Sequence, residues 1–209
     1  MQNWLPLFPL PLVLLPGSDL PLHIFEERYR LMIGDVRRSH GEFGVVLASD
    51  QGMASIGCTA TVESILQEYP DGRLDILTLG RRRFEIEELN EDMPYLRGSV
   101  DFFLDQASEP ASSSIRERAL QAYYTLRTLS NDDAGPAPDP QDSQLSFQIA
   151  RPITDLNVRQ ALLSKRSEGD RLRQLADILP ALIETRRQAE HLKQMAPRNG
   201  HGGKRPMIQ

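Results

Sequence analysis

The chain has 209 residues, 40% apolar and 25% charged, with a formal net charge of −5 and a pI near 5.4. That is enough apolar material for the core of one large domain or two small ones, and the acidic balance excludes nucleic acid and anionic membrane as default partners. Cys58 is the single cysteine, so no intrachain disulfide forms, in keeping with a reducing cytoplasm.

Residues 1–33 are an apolar run broken by Pro6, Pro9, Pro11, Pro16 and Pro21. Proline lacks an amide hydrogen and locks φ, so the run is neither a membrane-spanning helix nor the core of a signal peptide. It reads as short strand pieces forming a hairpin, turned at Pro16-Gly17. From Phe25 the apolar period becomes helical, through Tyr29, Ile33 and Val36.

Between Gly44 and Leu104 the apolar period is close to two. Val45–Ala48 is a buried strand. Ile56–Leu66 is a half-buried strand with Cys58, Ala60, Val62 and Leu66 inward. Tyr69-Pro70-Asp71-Gly72-Arg73 is a hairpin turn. In Arg82–Leu89, Phe84 and Ile86 point inward while Arg83, Glu85 and Glu87 point outward. Leu96, Val100, Phe102 and Leu104 make the last inward face. Short strands joined by hairpins predict a small antiparallel barrel or sandwich.

Near Glu109-Pro110 the character becomes helical. Ser114 with Glu117 spells a capping box, and Ala119, Ala122, Tyr123, Leu126 and Leu129 follow at helical spacing. A mobile loop is expected over 130–142, where Pro136, Pro138 and Pro140 recur. Short helices are expected over Gln141–Ala150 and from a Thr154 or Asp155 cap to Leu163. A long amphipathic helix starts at Glu168, with Pro180 inside it as a kink. The expected organisation is a β domain over 1–108, a helical subdomain over 109–196 and a disordered tail over 197–209. Charge divides similarly. Residues 1–105 carry 9 basic and 17 acidic side chains, a net of −8, and the remainder carries +3.

Leu5-Pro6-Leu7-Phe8-Pro9-Leu10, the Pro16-Gly17 turn, and the stretch from Leu20 through His23, Phe25 and Arg28 to Arg30 resemble the N-terminal substrate-binding domain of Lon-type proteases, in its stand-alone bacterial form. Ile56-Gly57-Cys58-Thr59-Ala60, the Pro70-Asp71-Gly72 hairpin and Gly80-Arg81-Arg82-Arg83-Phe84 are similar to further motifs of that family. Glu27 departs from it, standing where many relatives carry proline. The resemblance is strongest over residues 4–104. It implies an α+β fold: a PUA-like antiparallel β-barrel with one packed helix, followed by a C-terminal α-helical bundle. It also implies recognition of polypeptides.

Catalytic motifs are missing from the sequence. The one Gly-Lys pair, Gly203-Lys204, is followed by Arg205, and position 198 is arginine, so no phosphate-cradling loop is spelled. A Ser–Lys peptidase needs a partly buried lysine, and Lys165, Lys193 and Lys204 fall in a turn, a helix end and the tail. His23, His40, His191 and His201 lack metal-ligand spacing. His23 reads as a hydrogen-bonded structural histidine, His40 as the end of the first helix, and Cys58 as a small core residue. Arg81-Arg82-Arg83 reads as arginines paired to facing carboxylates rather than as a phosphate contact.

The expected function is therefore a non-catalytic polypeptide-binding module, not an enzyme, without cofactor or metal, in the cytoplasm. Its expected partners are unfolded or extended polypeptides and a protease ATPase, and no nucleic acid or membrane. An apolar groove is expected where barrel meets bundle. The binding residues named are Phe25, Arg28 and Tyr29, beside the first helix, and Arg83 at the family's recurrent arginine. The alternatives are an RNA-binding PUA-like module and a peptidase-associated hydrolase subunit. Oligomeric state stays open.

Overall fold

A computed structural model describes residues 4–106, 110–130 and 136–195. The proline-spaced opening stays extended as β1 (Leu5–Leu10), and Leu7, between Pro6 and Pro9, donates its N–H to the Leu96 carbonyl at 2.8 Å. β1 runs parallel to β3 (Phe43–Ser49) and antiparallel to β7 (Arg97–Phe102). β2 (Asp19–Ile24) pairs with β6 (Leu74–Asn90) instead, so β1 and β2 do not form the expected hairpin. The turn between them exists, with Gly17 at φ 69° and the Ser18 N–H on the Leu15 carbonyl at 3.1 Å. It passes the chain from one strand neighbourhood to another.

The ring β1, β7, β6, β5 (Ile56–Glu68), β3 and back to β1 closes a barrel. The β1–β3 pair is parallel, the one departure of the ring from the antiparallel expectation. β4 (Gly52–Met53) is a short flap on β3. β6 has 17 residues and β5 has 13, too many for the ring alone. Their overhanging halves take β2 as a third strand, making a sheet that extends beyond the barrel.

Register shifts in β5 at Cys58/Ala60, Val62/Ser64 and Ile65/Gln67 overturn part of the simple alternation. A bulge adds one residue and flips the parity beyond it. Thr59 is therefore buried, its hydroxyl taking the Arg82 N–H at 3.0 Å. Ile65 faces Ile76 in the core, while Leu66, expected inward, is 58% exposed. The last inward face also shifts. Phe103 is buried, whereas Phe102 and Leu104 are exposed.

α1 (Glu27–Ser39) lays Tyr29, Met32, Ile33 and Val36 on the sheet and ends at His40, whose φ of 50° is left-handed. α2 (Ser113–Ser130) starts one residue before the expected capping serine, and the Ser112 hydroxyl takes the Ile115 N–H at 3.4 Å. α3 (Leu145–Ile149) is followed by α4 (Leu156–Ser164), which Asp155 caps by accepting from the Asn157 and Val158 amides. α5 (Glu168–Met195) runs on through Pro180. One cluster of buried side chains extends from Phe8, Phe43 and Ile76 under the sheet to Leu126, Leu162 and Leu175 between the helices. Of the expected mobile loop, residues 131–135 lie outside the described residues; Asp139, four positions further on, donates its N–H to Gln148 Oε1 at 2.9 Å. The expected disordered tail, 197–209, lies outside them too.

Candidate functional site

Three of the four binding residues named from the sequence gather at the start of α1. Phe25 precedes the helix, and its side chain is 60% exposed. Its ring stacks on His23, the centroids 5.8 Å apart. The register His23↔Asp75 across β2 and β6 sets His23 Nδ1 2.5 Å from Asp75 Oδ1. Tyr69, at the β5–β6 turn, donates its hydroxyl to the other oxygen of Asp75 at 2.8 Å and meets the His23 ring edge-on. Arg73 lies over the Tyr69 ring at 4.9 Å. The hydrogen bond from His23, then that from Tyr69, holds the Asp75 carboxyl below its ordinary range, and the same bond raises the Tyr69 phenol.

Tyr29 is different. One helical turn on from Phe25, it is buried, its ring 4.1 Å from that of Phe8, and burial raises its phenol. Arg28 covers the outer face of that ring at 4.5 Å and pairs with Glu26 at 2.8 Å. The corner is thus an aromatic platform of Phe25, His23 and the half-buried Tyr69, braced by Asp75, whereas Tyr29 belongs to the core. Such a surface can take an apolar or aromatic side chain by stacking and offers cations at its margin.

Arg83 is not part of this corner. Expected to point outward from the barrel, it does leave the barrel interior, but the helices cover that side and it is buried. It donates to the carbonyls of Leu163 at 3.2 Å and Lys165 at 2.5 Å, and to Asp105 at 2.5 Å. Asp105 also takes two hydrogen bonds from Arg171, at 2.7 and 2.5 Å, and Arg171 reaches Glu168 at 2.7 Å and the Ser146 hydroxyl at 2.8 Å. The expected apolar groove between barrel and bundle is filled here by a buried ionic knot. Burial alone would raise the Asp105 carboxyl; Arg171 and then Arg83 outweigh it and hold it below the usual carboxylate range. Sequence reasoning missed Arg171 and Asp105, which lie 66 positions apart and carry no local motif.

The neighbouring arginines face carboxylates brought in from β5 and from the segment just before β3. Arg81 pairs with Glu63 at 2.8 Å and Arg82 with Glu42 at 3.1 Å. Cys58 is fully buried, and burial pushes its thiol up to about 12. His23 is hydrogen-bonded and His40 ends α1. Among the described residues no group of three or more His, Cys, Asp or Glu could hold a metal ion, and no helix is long and apolar enough to cross a membrane.

The fold and sequence have clear relatives. The Lon protease of Parabacteroides distasonis is 31% identical over 110 residues, covering 48% of this chain and 13% of that protein. The Lon protease of Cytophaga hutchinsonii is 30% identical over 153 residues, 68% of this chain and 18% of that protein. The chain therefore spans less than a fifth of the length of these curated relatives. Among solved structures, the Lon N-terminal domain protein from Xanthomonas campestris is 29% identical with a TM-score of 0.65, covering 83% of this chain and 96% of that one. The N-terminal domain of the Mycobacterium avium complex Lon protease shares the fold at 18% identity, with a TM-score of 0.60 over 85% of this chain and 98% of that one. The model of the ATP-dependent protease La (LON) substrate-binding domain matches residues 4–188, and the chain belongs to that family.

Proposed function

We propose that this chain is a non-catalytic module that binds unfolded or extended polypeptides, with the aromatic corner at the start of α1 as a contact surface. Membership of a substrate-binding domain family supports the ligand class. The observation that carries the placement is Phe25: a large aromatic side chain, 60% exposed, stacked and braced rather than loosely displayed. An exposed, preorganised aromatic side chain loses little entropy on contact and gains apolar burial. The chain would act beside a protease ATPase in the cytoplasm, without an ATPase or peptidase centre of its own. RNA recognition finds less support, because Arg81, Arg82 and Arg83 already each face a carboxylate.

The test compares Phe25→Ala and Tyr29→Ala for capture of a fluorescent unfolded polypeptide and for thermal stability. Phe25→Ala should weaken capture and leave stability within about 0.5 kcal/mol, since the side chain is outside the core. Tyr29→Ala should cost about 3 kcal/mol through the cavity it leaves against Phe8. Undiminished capture by both variants would remove the binding surface from this corner.

A further inference from the structure

β5 is paired on both sides only in its first half. β3 accompanies it from Val45↔Cys58 to Phe43↔Ala60 and then diverges. From Val62 to Glu68 β5 pairs with β6 on one side, and no backbone hydrogen bond among the described residues reaches the other. That open edge borders a cleft of about 810 Å³, whose opposite wall is the second half of α1 and the turn after it. Other exposed edges are commonly blunted by proline or lysine, as Pro21 blunts β2. Residues 62–68 contain neither; their edge is interrupted only by the register shifts at Val62/Ser64 and Ile65/Gln67 and carries Glu63 and Glu68.

Two further features point to a ligand. Gly34 lies inside α1 on the cleft wall, where glycine is less favourable than alanine. Packing does not require it, because a Cβ there would meet only Arg38 Nη1, at an ordinary 3.7 Å. Its effect is to keep the wall low. The charge is also unbalanced. Glu63 is held by Thr61 at 2.6 Å and by Arg81, and Arg38 is paired with Asp35. Arg37 and His40 line the cleft, and among the described residues neither side chain has a hydrogen-bond or ion-pair partner. The spare formal charge of this cleft is the single positive charge of Arg37, although residues 1–105 carry a net −8.

We propose that the cleft takes an extended, acidic polypeptide segment, which adds as a strand to the free edge of β5. Main-chain hydrogen bonds from the 62–68 edge would hold the segment. Its alternate side chains would meet Val62 and Ile65 on one face and the Arg37 side of α1 on the other. This deepens the polypeptide-binding reading and rests on it, at a surface separate from the Phe25 corner. The chain's own end is a poor occupant, because residues 197–209 hold Arg198, Lys204 and Arg205 and no acidic residue.

The probe is a short peptide alternating glutamate and valine, compared with a lysine-for-glutamate version and a proline-interrupted version. Binding is read by fluorescence anisotropy and by amide hydrogen exchange on the intact chain. The glutamate peptide should slow exchange across 62–68 by about tenfold or more. The proline and lysine versions should not. Arg37→Ala should weaken binding about two- to fivefold, with the loss shrinking in high salt. Gly34→Leu should abolish it without lowering stability, since a Cβ there meets only Arg38 Nη1 at an ordinary 3.7 Å and glycine is the less favourable helix residue. Binding that protects the Phe25 corner and leaves 62–68 unchanged overturns the cleft and spares the polypeptide-binding reading. No binding by any peptide or unfolded protein overturns both. Concentration-dependent protection of 62–68 without peptide would assign the edge to a second copy of the chain and overturn the proposal.

Discussion

Replacing Asp105 by asparagine tests whether the two halves of the molecule are fastened by charge. The Asp105 carboxylate accepts from Arg83 and twice from Arg171, whose side chains are 2% and 0% exposed. The substitution removes one negative charge from two buried guanidiniums, leaving Glu168 as the carboxylate of Arg171 and only backbone carbonyls for Arg83. Stripping one partner from a buried ion pair costs about 3–5 kcal/mol, because the remaining charge stays desolvated. Asparagine keeps one acceptor oxygen, so the lower end, about 3 kcal/mol, is expected. For a chain of this size that corresponds to a fall in Tm of roughly 6–12 °C. Urea unfolding followed by far-UV circular dichroism gives the free energy directly.

The pH dependence supplies an independent check. The folded Asp105 carboxyl lies below its ordinary 3.8, so the unfolded chain binds that proton more readily. Its contribution is complete above the unfolded pKa and disappears as pH falls through the lower folded value. The parent should lose stability below about pH 4 with a component missing in Asp105→Asn, and the difference between them should be constant from pH 5 to 7. A loss below about 0.5 kcal/mol at neutral pH would refute the reasoning, since it would mean that water reaches the guanidiniums and the knot contributes no more than a surface pair.

Other expectations follow from single contacts. Asp155→Ala removes the acceptor for the Asn157 and Val158 amides and should cost about 1 kcal/mol in urea unfolding. Cys58, buried and with its thiol at about 12, should resist iodoacetamide at pH 8 in the folded chain and react on unfolding in urea. Rapid native alkylation would mean that the barrel opens at that strand. His40→Gly should stabilise the chain by about 0.5–1 kcal/mol, because glycine carries no penalty at the left-handed φ of 50°.

Much of the architecture is legible from local pattern. Prolines exclude a helix before Phe25, and the change of apolar period there marks α1 to within two residues. Tyr69-Pro70-Asp71-Gly72-Arg73 has its turn chemistry on the surface of the sequence, and Gly72 takes the φ of 84° it requires. Asp155 and the stretch from Glu168 announce α4 and α5 in the same way. The family motifs add what pattern cannot, the expectation of a barrel followed by helices. Period-two reading fails where bulges intervene, which is why Leu66 is exposed and Thr59 buried.

The candidate site was only partly legible. Phe25, Arg28 and Tyr29 are close in sequence, so a helical period brings them together, yet that period cannot say that Phe25 lies before the helix and outside the core while Tyr29 lies inside. His23 shows no partner until β2 pairs with β6 and delivers Asp75, 52 residues away. Arg83 looks outward from its strand, and only the docking of helices on that face turns it into a buried clasp with Asp105 and Arg171. The free edge of β5 is likewise invisible locally, because an edge is defined by the strand that is not beside it. The sequence by itself determined α1, α4 and α5, the Asp155 cap, the Pro16-Gly17 and Pro70-Asp71-Gly72 turns, and the family, because these are written in neighbours within a few residues. The tertiary structure alone decided the parallel closure of β1 on β3, the burial of Arg83, and which strand kept an open side, because these depend on contacts between residues far apart in the chain.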